Sequence, residues 1–556
     1  MTEVVRENFK ELLPVILGQI SDASFVSFDA EFTTLGEFSL FDSLEQRYVK
    51  LRGQASSSVI NQFGLSIFTQ DPANPECYQV SCYNIYLFQR SFGPLNKPFL
   101  CEPQSLEFLT THKFDFNKFI YQGIGYTNRA QESMLRSYLA KNGARCGSFE
   151  REIYGDELKD VCSKVSQWIS AQEKGQELDI QCGNIPADLA AIYICFQFPN
   201  VWAFKSDDHE AQVRVKIVSS DERKELDKKQ METNLDEQRG FSQVIEAIIK
   251  AKKPIVGHNC LLDLVRIYQQ FIDDLPSTLE RFRVKVRILF PEIYDTKLVA
   301  LNIKKDQPNE FPVALTGTRL DELYLALNGQ KAGYQVPHSP NIVMDKETGQ
   351  IYGDGYKKFH DAGFDAYVTG YVWLKLAHIA STIHYLSRDT IRTLKFKEHQ
   401  AGVAPYKNHI KINHSSIFRL VNAVIGLEFL TTFLYTFIYS NQDLDKPVKG
   451  ATTGPAKVTI SSKFGLAINP DQFINKLTSY GLVEVQPLTR TQVIVATMGQ
   501  RTCNAIIQDF ANSEEYNVAP NNLRPEKMNK VTPILFGFVI GMILVPLCVV
   551  SRVMWR

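Results

Sequence analysis

The stretch SFVSFDAEFTTL, residues 24–35, is an apolar run that closes with two acids, Asp29 and Glu31. Such a run predicts a β-strand over residues 25–32. Residues two apart on a strand point to the same face, so both carboxylates are expected to lie side by side. A D-x-E alone is common, but a buried unpaired charge is costly, so the pair suggests a site for divalent cations.

Two later segments carry acids in similar apolar surroundings. Residues 254–264, PIVGHNCLLDL, place Asp263 on a predicted helix, and residues 360–370, HDAGFDAYVTG, place Asp365 on another helix after His360. The H-x4-D spacing lets the imidazole reach an attacking water while the acid holds a cation, and histidine suits a general base near neutral pH. Two-cation phosphodiester hydrolysis needs such a cluster, so the segments together predict a hydrolytic site.

Bulk composition limits the class of protein but does not identify a partner. At 556 residues the chain is expected to form two or three domains. Its formal net charge of zero argues against a histone-like polyelectrolyte and permits a local basic groove. The ten cysteines include no C-x-x-C pair, so we expect no zinc site and a reducing compartment.

Alternating strand and helix patterns predict an α/β fold. The charge run of residues 220–240 favours a solvated helix or linker over a binding site. Composition and pattern divide the chain into seven predicted segments: an α/β core in 1–146 and 240–385, an inserted small α/β domain in 147–239, a connecting helical region in 386–450, a β-α-β-β-α domain like the RNA-recognition motif in 451–511, a flexible tether in 512–530, and a transmembrane helix in 531–550.

The last of these segments, VTPILFGFVIGMILVPLCVV, is a run of 20 uncharged residues. At about 1.5 Å per residue, a helix of that length matches the roughly 30 Å hydrocarbon core, which favours a membrane span over a buried core helix. Basic residues flank it on both sides, so the charge rule gives no orientation. Its C-terminal position predicts a tail anchor with the catalytic part in the cytosol, on the mitochondrial outer membrane or, alternatively, the endoplasmic reticulum.

The strand D-x-E, the helix G-H-N-x3-D and the helix H-x4-D, in this order, resemble the DEDDh exonuclease superfamily. Four passages resemble the poly(A)-specific ribonuclease family in particular: FDFNKFIYQGIGYTN at 114–128, IVGHNCLLDL at 255–264, FPEIYDTKLVA at 290–300 and HDAGFDAYVTG at 360–370. The resemblance is strong over residues 1–385. It implies an RNase H-like core with a mixed sheet.

The same resemblance implies roles for individual residues. Two Mg²⁺ ions, with Mn²⁺ as a substitute, are expected on Asp29, Glu31, Asp263 and Asp365, and His360 is expected to act as general base. Further matched positions are expected to handle the substrate. Lys297 is expected to contact a phosphate, and the terminal nucleotides are expected to lie against Phe32, Leu35 and Phe116. A core role is equally open for these last three residues.

Two accessory segments depart from the family pattern. The inserted segment carries PADLAAIYICFQF at 186–198 without the Arg-x3-His signature of the domain that the family has there. The segment at 451–511 lacks the aromatic residues with which RNA-recognition motifs stack bases. A purely structural role therefore stands beside RNA binding for both.

Together these features predict a membrane-tethered 3′-to-5′ exoribonuclease that releases nucleoside 5′-monophosphates. The anchor resembles that of relatives that trim the 3′ ends of PIWI-interacting RNA precursors, so PIWI-bound precursor RNA, a Tudor-domain adaptor and a homodimer are the expected partners. The same chemistry on messenger poly(A) tails is the alternative. A catalytically silent, membrane-tethered RNA-binding scaffold is the alternative of another class.

Overall fold

The computed structural model describes residues 2–36, 39–142, 155–171, 177–206, 212–306, 315, 317–328, 336–344, 359–382, 392–412, 416–419, 456–497 and 499–520. The chain forms two compact units, Met1–Phe38 with Asp42–Thr452, and Ser39–Phe41 with Thr453–Arg556. Each unit has strands, helices and a hydrophobic core of its own.

The strands of the larger unit are β1 (Thr2–Val4), β2 (Phe25–Phe32), β3 (Ile60–Gln70), β4 (Cys77–Tyr86), β5 (Leu178–Gln181), β6 (Val201–Lys205), β7 (Gln212–Ile217), β8 (Ile255–Gly257), β9 (Ile293–Asp295), β10 (Asn341–Met344), β11 (His409–Ile412) and β12 (Ser416–Arg419). Its described helices are α1 (Arg6–Asp22), α2 (Leu44–Ser57), α3 (Pro103–Thr111), α4 (Arg129–Asn142), α5 (Gly155–Ala171), α6 (Ala187–Gln197), α7 (Ser220–Arg239), α8 (Ser242–Ala251), α9 (Leu261–Ile267), α10 (Leu279–Leu289), α11 (Thr296–Asp306), α12 (Leu320–Leu327), α13 (Ala362–Thr382) and α14 (Phe396–Gly402).

The central sheet is mixed, as predicted. Its order is β1-β4-β3-β2-β8-β9, and β10 adds to β4. Strands β2, β8 and β9 run parallel, whereas β3 is antiparallel to both β2 and β4. The carboxyl ends of β2, β8 and β9 therefore meet at one edge of the sheet.

Strand β2 has a different core on each face, which decides where its acids point. Val26 and Phe28 belong to the core beneath α1 and α8, whereas Phe25 packs in the second core against Trp373 of α13, with 4.6 Å between ring centroids. Side chains alternate along a strand, so Asp29 and Glu31 share the face of Phe25. The predicted common face of the two acids follows from this alternation.

Helix α13 lies unusually close to the sheet. A Cβ atom at Gly64 of β3 would stand 1.7 Å from the Ala362 carbonyl oxygen, and Gly370 meets the ring of Phe68 in the same way. Ser27 of β2 donates a hydrogen bond of 2.7 Å to the Ala366 carbonyl. The absence of side chains at the two glycines thus brings the start of α13 directly over β2 and β3.

The inserted segment has a sheet and a core of its own. Strands β5, β7 and β6 pair antiparallel in that order, and α5 and α6 cover them with an apolar core. The charge run forms α7, whose only buried residue is Leu235. A largely solvated helix is what the sequence predicted for that run.

The connecting region differs from the helical prediction. Its described part contains one short helix, α14, and an antiparallel pair of strands, β11 and β12. Strand β11 joins the edge of the central sheet through Asn408, whose amide donates to the Ile293 carbonyl at 2.8 Å. Isoleucines alternate with polar residues in HIKI, a strand pattern that outweighs the helical reading.

The smaller unit contains β13 (Ala456–Ser462), α15 (Pro470–Leu477), β14 (Val483–Thr489), β15 (Gln492–Thr497), α16 (Gln500–Phe510) and β16 (Tyr516–Pro520). The strands form an antiparallel sheet in the order β14-β15-β13-β16. The predicted β-α-β-β-α order is present, but β16 corrects the prediction of a tether from residue 512. Neither central strand, AKVTISS nor QVIVAT, contains an aromatic residue.

The predicted membrane anchor at 531–550 lies outside the described residues. Among the residues that the structure does describe, no helix is both long and apolar enough to cross a bilayer. The anchor therefore stays a prediction from the sequence.

Replacing Gly64 by Ala is expected to destabilise the larger unit by about 3 kcal/mol, because the new methyl group collides with the backbone of α13. Gly18→Ala on α1 is the matched control, since nothing lies within 4 Å of its Cβ position. That control is expected to be neutral or to stabilise by up to about 1 kcal/mol. Denaturant unfolding of both purified variants measures the difference, and equal stabilities would contradict the proposed close contact.

Candidate active site

Glu31, His360 and Asp365 form the centre of the site. Each offers one ligand atom, and these atoms all lie within 4.8 Å of one another. Glu31 comes from the end of β2, and the other two residues come from the turn and first helical turn of α13. The structure thus brings together residues more than 300 positions apart in the chain.

The start of α13 is fixed by polar side chains of the sheet. The Ala362 amide donates to Gln62 Oε1 at 3.1 Å, and the Gly363 amide donates to Asn84 Oδ1 at 3.2 Å. These bonds satisfy amides that a helix start leaves unpaired. They also fix the rotation of the helix, and with it the direction of Asp365.

His360 holds the turn before the helix in a left-handed conformation, with φ of 68°. Its backbone amide donates a hydrogen bond of 2.9 Å to Asp365 Oδ2. The other oxygen, Asp365 Oδ1, is buried and has no hydrogen-bond partner among the described residues. A buried carboxylate oxygen without a donor is costly, and a cation in the site would satisfy it.

Asp263 approaches from a third element. It lies in the first turn of α9, after β8, and is 9% exposed. Its charge acts on both Asp29 and Glu31, so all four predicted acids share one electrostatic site. The edge where parallel strands end therefore gathers the four carboxylates.

Recession of the site from solvent raises the pKa of every acid in it. Desolvation, followed by repulsion from Asp365 and Asp263, raises the pKa of Asp29 and of Glu31 well above the ordinary range. Desolvation also raises the pKa of Asp263 and of Asp365 to about 7. Carboxylates that repel one another in a recessed site bind divalent cations readily, because the cation replaces both the water and the missing counter-charge.

These residues fit a divalent metal. Carboxylate oxygens are hard ligands of the type that Mg²⁺ and Mn²⁺ prefer, and the unpartnered oxygen of Asp365 points to a missing donor or cation. The group satisfies the requirements of a metal centre on geometry and on chemistry.

The His360 ring lies against Phe108 of α3 and against His112, which follows the last residue of that helix. Its centroid is 4.9 Å from that of Phe108 and 4.1 Å from that of His112. Desolvation, and then the charge of His112, lowers the pKa of His360. The ring is therefore neutral near pH 7 and able to accept a proton.

The four predicted substrate residues surround the centre unequally. Phe32 is buried at the end of β2, Leu35 is 47% exposed in the following loop, and Lys297 begins α11 beside Asp295. Phe116 stacks edge-on against Phe114, at 4.9 Å, with no direct contact to the carboxylates among the described residues. Leu35 is thus available to a ligand, whereas Phe32 belongs largely to the core.

The sequence analysis missed Arg266 and Glu102, which hold the loop carrying Leu35. Arg266 is fully buried; its guanidinium donates to the Thr34 carbonyl at 2.6 Å and lies 4.2 Å from the Phe32 ring centroid. Glu102 accepts the Leu35 amide at 3.1 Å. The sequence contained one signal that could have identified Arg266. It follows Asp263 by three residues, and residues with this spacing share one face of a helix.

Two further acids were also missed. Asp361 is buried beside the centre and accepts from Asn84 at 3.3 Å, and its charge adds to the repulsion on Asp29 and Glu31. Asp295 accepts backbone amides at the end of β9, which identifies it as a structural carboxylate. The sequence could have pointed to Asp361, because it adjoins the predicted His360. For Asp295, the sequence offers no signal that distinguishes a structural carboxylate from a metal ligand.

Recessed carboxylates and a histidine at one edge of a mixed sheet are the arrangement of a metal-dependent hydrolase. The chain matches the model of the CAF1 family ribonucleases over residues 4–373, and so belongs to this family of the DEDDh superfamily. CAF1-type and poly(A)-specific ribonucleases are 3′-to-5′ exoribonucleases. The resemblance found in the sequence is confirmed.

Individual relatives extend the comparison beyond the family region. The pre-piRNA 3′-exonuclease trimmer of Bombyx mori is 27% identical over 530 residues, 93% of this chain and 92% of that protein. The poly(A)-specific ribonuclease PNLDC1 of Mus musculus is 29% identical over 75% of this chain and 78% of its own length. The poly(A)-specific ribonuclease PARN of Xenopus laevis is 28% identical over 68% and 62%.

Replacing Arg266 by Met is expected to free the loop at residues 33–36 and to lower the free energy of unfolding by about 3 kcal/mol, because buried acceptors lose their donor. Hydrogen exchange is the measurement: the amides of Leu35 and Gly36 should lose protection. Arg281→Met, which removes an exposed guanidinium on α10, is the control and should leave exchange unchanged. Retained protection in the Arg266 variant would show that Glu102 alone holds the loop.

Proposed function

We propose that this chain is a Mg²⁺-dependent 3′-to-5′ exoribonuclease that releases nucleoside 5′-monophosphates, with Mn²⁺ as a substitute metal. The observation that carries the proposal is the group of Glu31, His360 and Asp365, whose ligand atoms lie within 4.8 Å of one another. The charges of Asp29 and Asp263 act on the same recessed site. Membership of the CAF1 ribonucleases supports RNA as the substrate class.

Asp29, Glu31, Asp263 and Asp365 would hold the metal in this proposal. When bound, divalent ions stabilise charge on the scissile phosphate and promote ionisation of the attacking water. The protein contributes a rigid arrangement of these acids. The backbone amide of His360 orients Asp365, and the first turns of α9 and α13 place positive helix ends beside Asp263 and Asp365.

His360 is proposed to accept the proton of the attacking water. The water oxygen forms a bond to phosphorus, the bond from phosphorus to the 3′ oxygen breaks, and the leaving oxygen takes a proton from solvent. The neutral ring suits this role because its pKa is lowered by desolvation and by His112. Phe108 and His112 pack against the ring and restrict its orientation.

The terminal nucleotide is proposed to lie against the loop that Arg266 and Glu102 hold. Leu35 offers an exposed apolar side chain there, and an apolar contact tolerates any base. Lys297 would contact a phosphate from the other side of the site. Phe116 remains a proposed contact through the aromatic group that it forms with Phe114.

Precursors of PIWI-interacting RNA are the proposed substrate. The supporting observation is that the Bombyx mori trimmer aligns over 93% of this chain, including residues beyond the family region. Shortening of messenger poly(A) tails is the second candidate, supported by the names of the PNLDC1 and PARN relatives. On the family resemblance, we propose as partners a PIWI-bound precursor, a Tudor-domain adaptor and a second copy of the chain in a homodimer.

Replacing Glu31 by Gln is expected to reduce 3′ shortening by about 10²- to 10³-fold, because the loss of one ligand charge removes a few kcal/mol of transition-state stabilisation. The assay follows 5′-labelled single-stranded RNA of mixed sequence and of poly(A), each with a free 3′ hydroxyl, with and without Mg²⁺. Equal rates on the two sequences favour the trimmer, and a strong preference for poly(A) favours the deadenylase.

Glu11→Gln, at an exposed position on α1, is the matched control and should retain full activity. Unchanged shortening in the Glu31 variant would contradict the site. Absence of shortening by the unsubstituted chain, combined with retained RNA binding, would favour the silent scaffold.

The apolar run at 531–550 is proposed to tether the chain to the cytosolic face of the mitochondrial outer membrane, or of the endoplasmic reticulum. Its support is the length of the uncharged run, which matches a bilayer core. A fixed position would place the enzyme near membrane-bound partners.

Deleting residues 531–556 is expected to release the protein from membranes while leaving its activity on naked RNA unchanged, because the described site uses no residue beyond 411. Membrane flotation and the shortening assay measure the two effects separately. A loss of activity on naked RNA would contradict a purely anchoring role, and retained membrane association would contradict the anchor.

A further inference from the structure

Three lysines lie together beside the carboxylate site. Lys297 begins α11, Lys305 lies at its other end, and Lys411 lies on β11. Lys411 is partly buried, and desolvation, followed by repulsion from Lys305 and Lys297, lowers its pKa. Helix α11 packs against β11, so these three residues, called here the lysine cluster, lie on neighbouring elements, and the charges of Lys297 and Lys305 act on Lys411.

Asp295 fixes the backbone of the cluster through hydrogen bonds from its amides. Asp295 Oδ1 accepts the Lys297 amide at 3.0 Å, and Oδ2 accepts the Lys411 amide at 2.8 Å. The Asn259 amide also donates to Oδ1, at 2.9 Å. Both carboxylate oxygens of this buried residue are thus engaged by backbone amides.

The ammonium groups of the cluster form no direct ion pair among the described residues. Within the described part of the chain, none of them forms a hydrogen bond or a salt bridge with a carboxylate. By contrast, Lys407, which lies near β11, lies 3.6 Å from Glu292. The charge of Asp295 attracts Lys411 less than Lys305 and Lys297 each repel it, and the binding of an anion relieves the remaining repulsion.

The cluster is anchored at the same edge of the sheet as the first acid of the site. Asp295 and Asp29 lie at the same edge of the sheet, on β9 and β2, with β8 between them. At about 4.8 Å per strand spacing, Asp295, which holds the amides of Lys297 and Lys411, lies roughly 10 Å from Asp29. An RNA whose 3′ end reaches the acids has further backbone phosphates within that range.

We propose that Lys411 and Lys305, with Lys297, form a binding site for backbone phosphates of the RNA strand that enters the carboxylate site. Lys411 lies beyond residue 373, where the match to the family model ends. The proposal rests on the proposed function, since it takes RNA as the substrate. It assigns a phosphate contact to a strand that the sequence analysis expected to be a helical connector.

The test compares RNA binding by full-length protein carrying Glu31→Gln, which prevents digestion, with the same protein carrying Lys305→Gln and Lys411→Gln in addition. Fluorescence anisotropy of labelled single-stranded RNA gives the affinity at several salt concentrations. Loss of two phosphate contacts should weaken binding about tenfold at low salt and reduce the slope of log K against log salt by about 1.4.

Two matched variants separate this effect from folding and from net charge. Lys305→Arg with Lys411→Arg keeps both charges and should restore the salt slope. Lys10→Gln with Lys250→Gln removes two exposed charges on α1 and α8 and should leave the slope unchanged. An unchanged slope in the cluster variant, or an equal change in the Lys10 and Lys250 control, would overturn the phosphate site.

The hydrolysis assay keeps the two proposals apart. If the chain with Glu31 intact fails to shorten RNA while the cluster variant still lowers the salt slope, the proposed function fails and the phosphate site stands. If Glu31→Gln abolishes shortening while the cluster variant binds RNA with the original slope, the phosphate site fails alone.

Discussion

The approach of α13 to β3 at Gly64 is the contact on which the candidate site depends. No side chain separates the Ala362 carbonyl from the strand, and a methyl group there would stand 1.7 Å away. Gly64 pairs with Asp29 on one side and with Asn84 on the other. The position on β3 against which α13 packs is therefore the cross-strand neighbour of Asp29, the first acid of the site. This packing of the helix backbone brings Asp365 to Glu31.

Electrostatic repulsion opposes this arrangement, and the fold offsets it with fixed dipoles and cations. Asp263 and Asp365 lie in first helical turns, where the helix dipole favours negative charge. Arg266 is the largest favourable charge near Asp263, although it is fully buried itself. Desolvation nevertheless dominates, and the pKa of Asp263 stays at about 7. The acids are thus poised to bind a cation, which removes the remaining penalty.

The parts of the chain differ in the groups that they offer for contact with RNA. The sheet of the smaller unit has no aromatic residue on its two central strands, so it lacks the stacking groups of an RNA-recognition motif. The inserted segment buries its apolar residues in its own core. The proposed contacts to RNA are therefore those of the loop at residues 33–36 and of the lysine cluster.

The sequence by itself determined the mixed α/β core, the common face of Asp29 and Glu31, and the family, because local periodicity and motif words need no knowledge of packing. It failed at β16, which pairs with the distant strand β13, and at β11, a four-residue strand too short for its alternation to outweigh a helical reading of the whole region. Only the tertiary structure decided that Arg266 supports the loop of Leu35 and that Lys411 joins Lys297. Such contacts depend on which elements become neighbours, and burial and charge act through space without regard to separation along the chain.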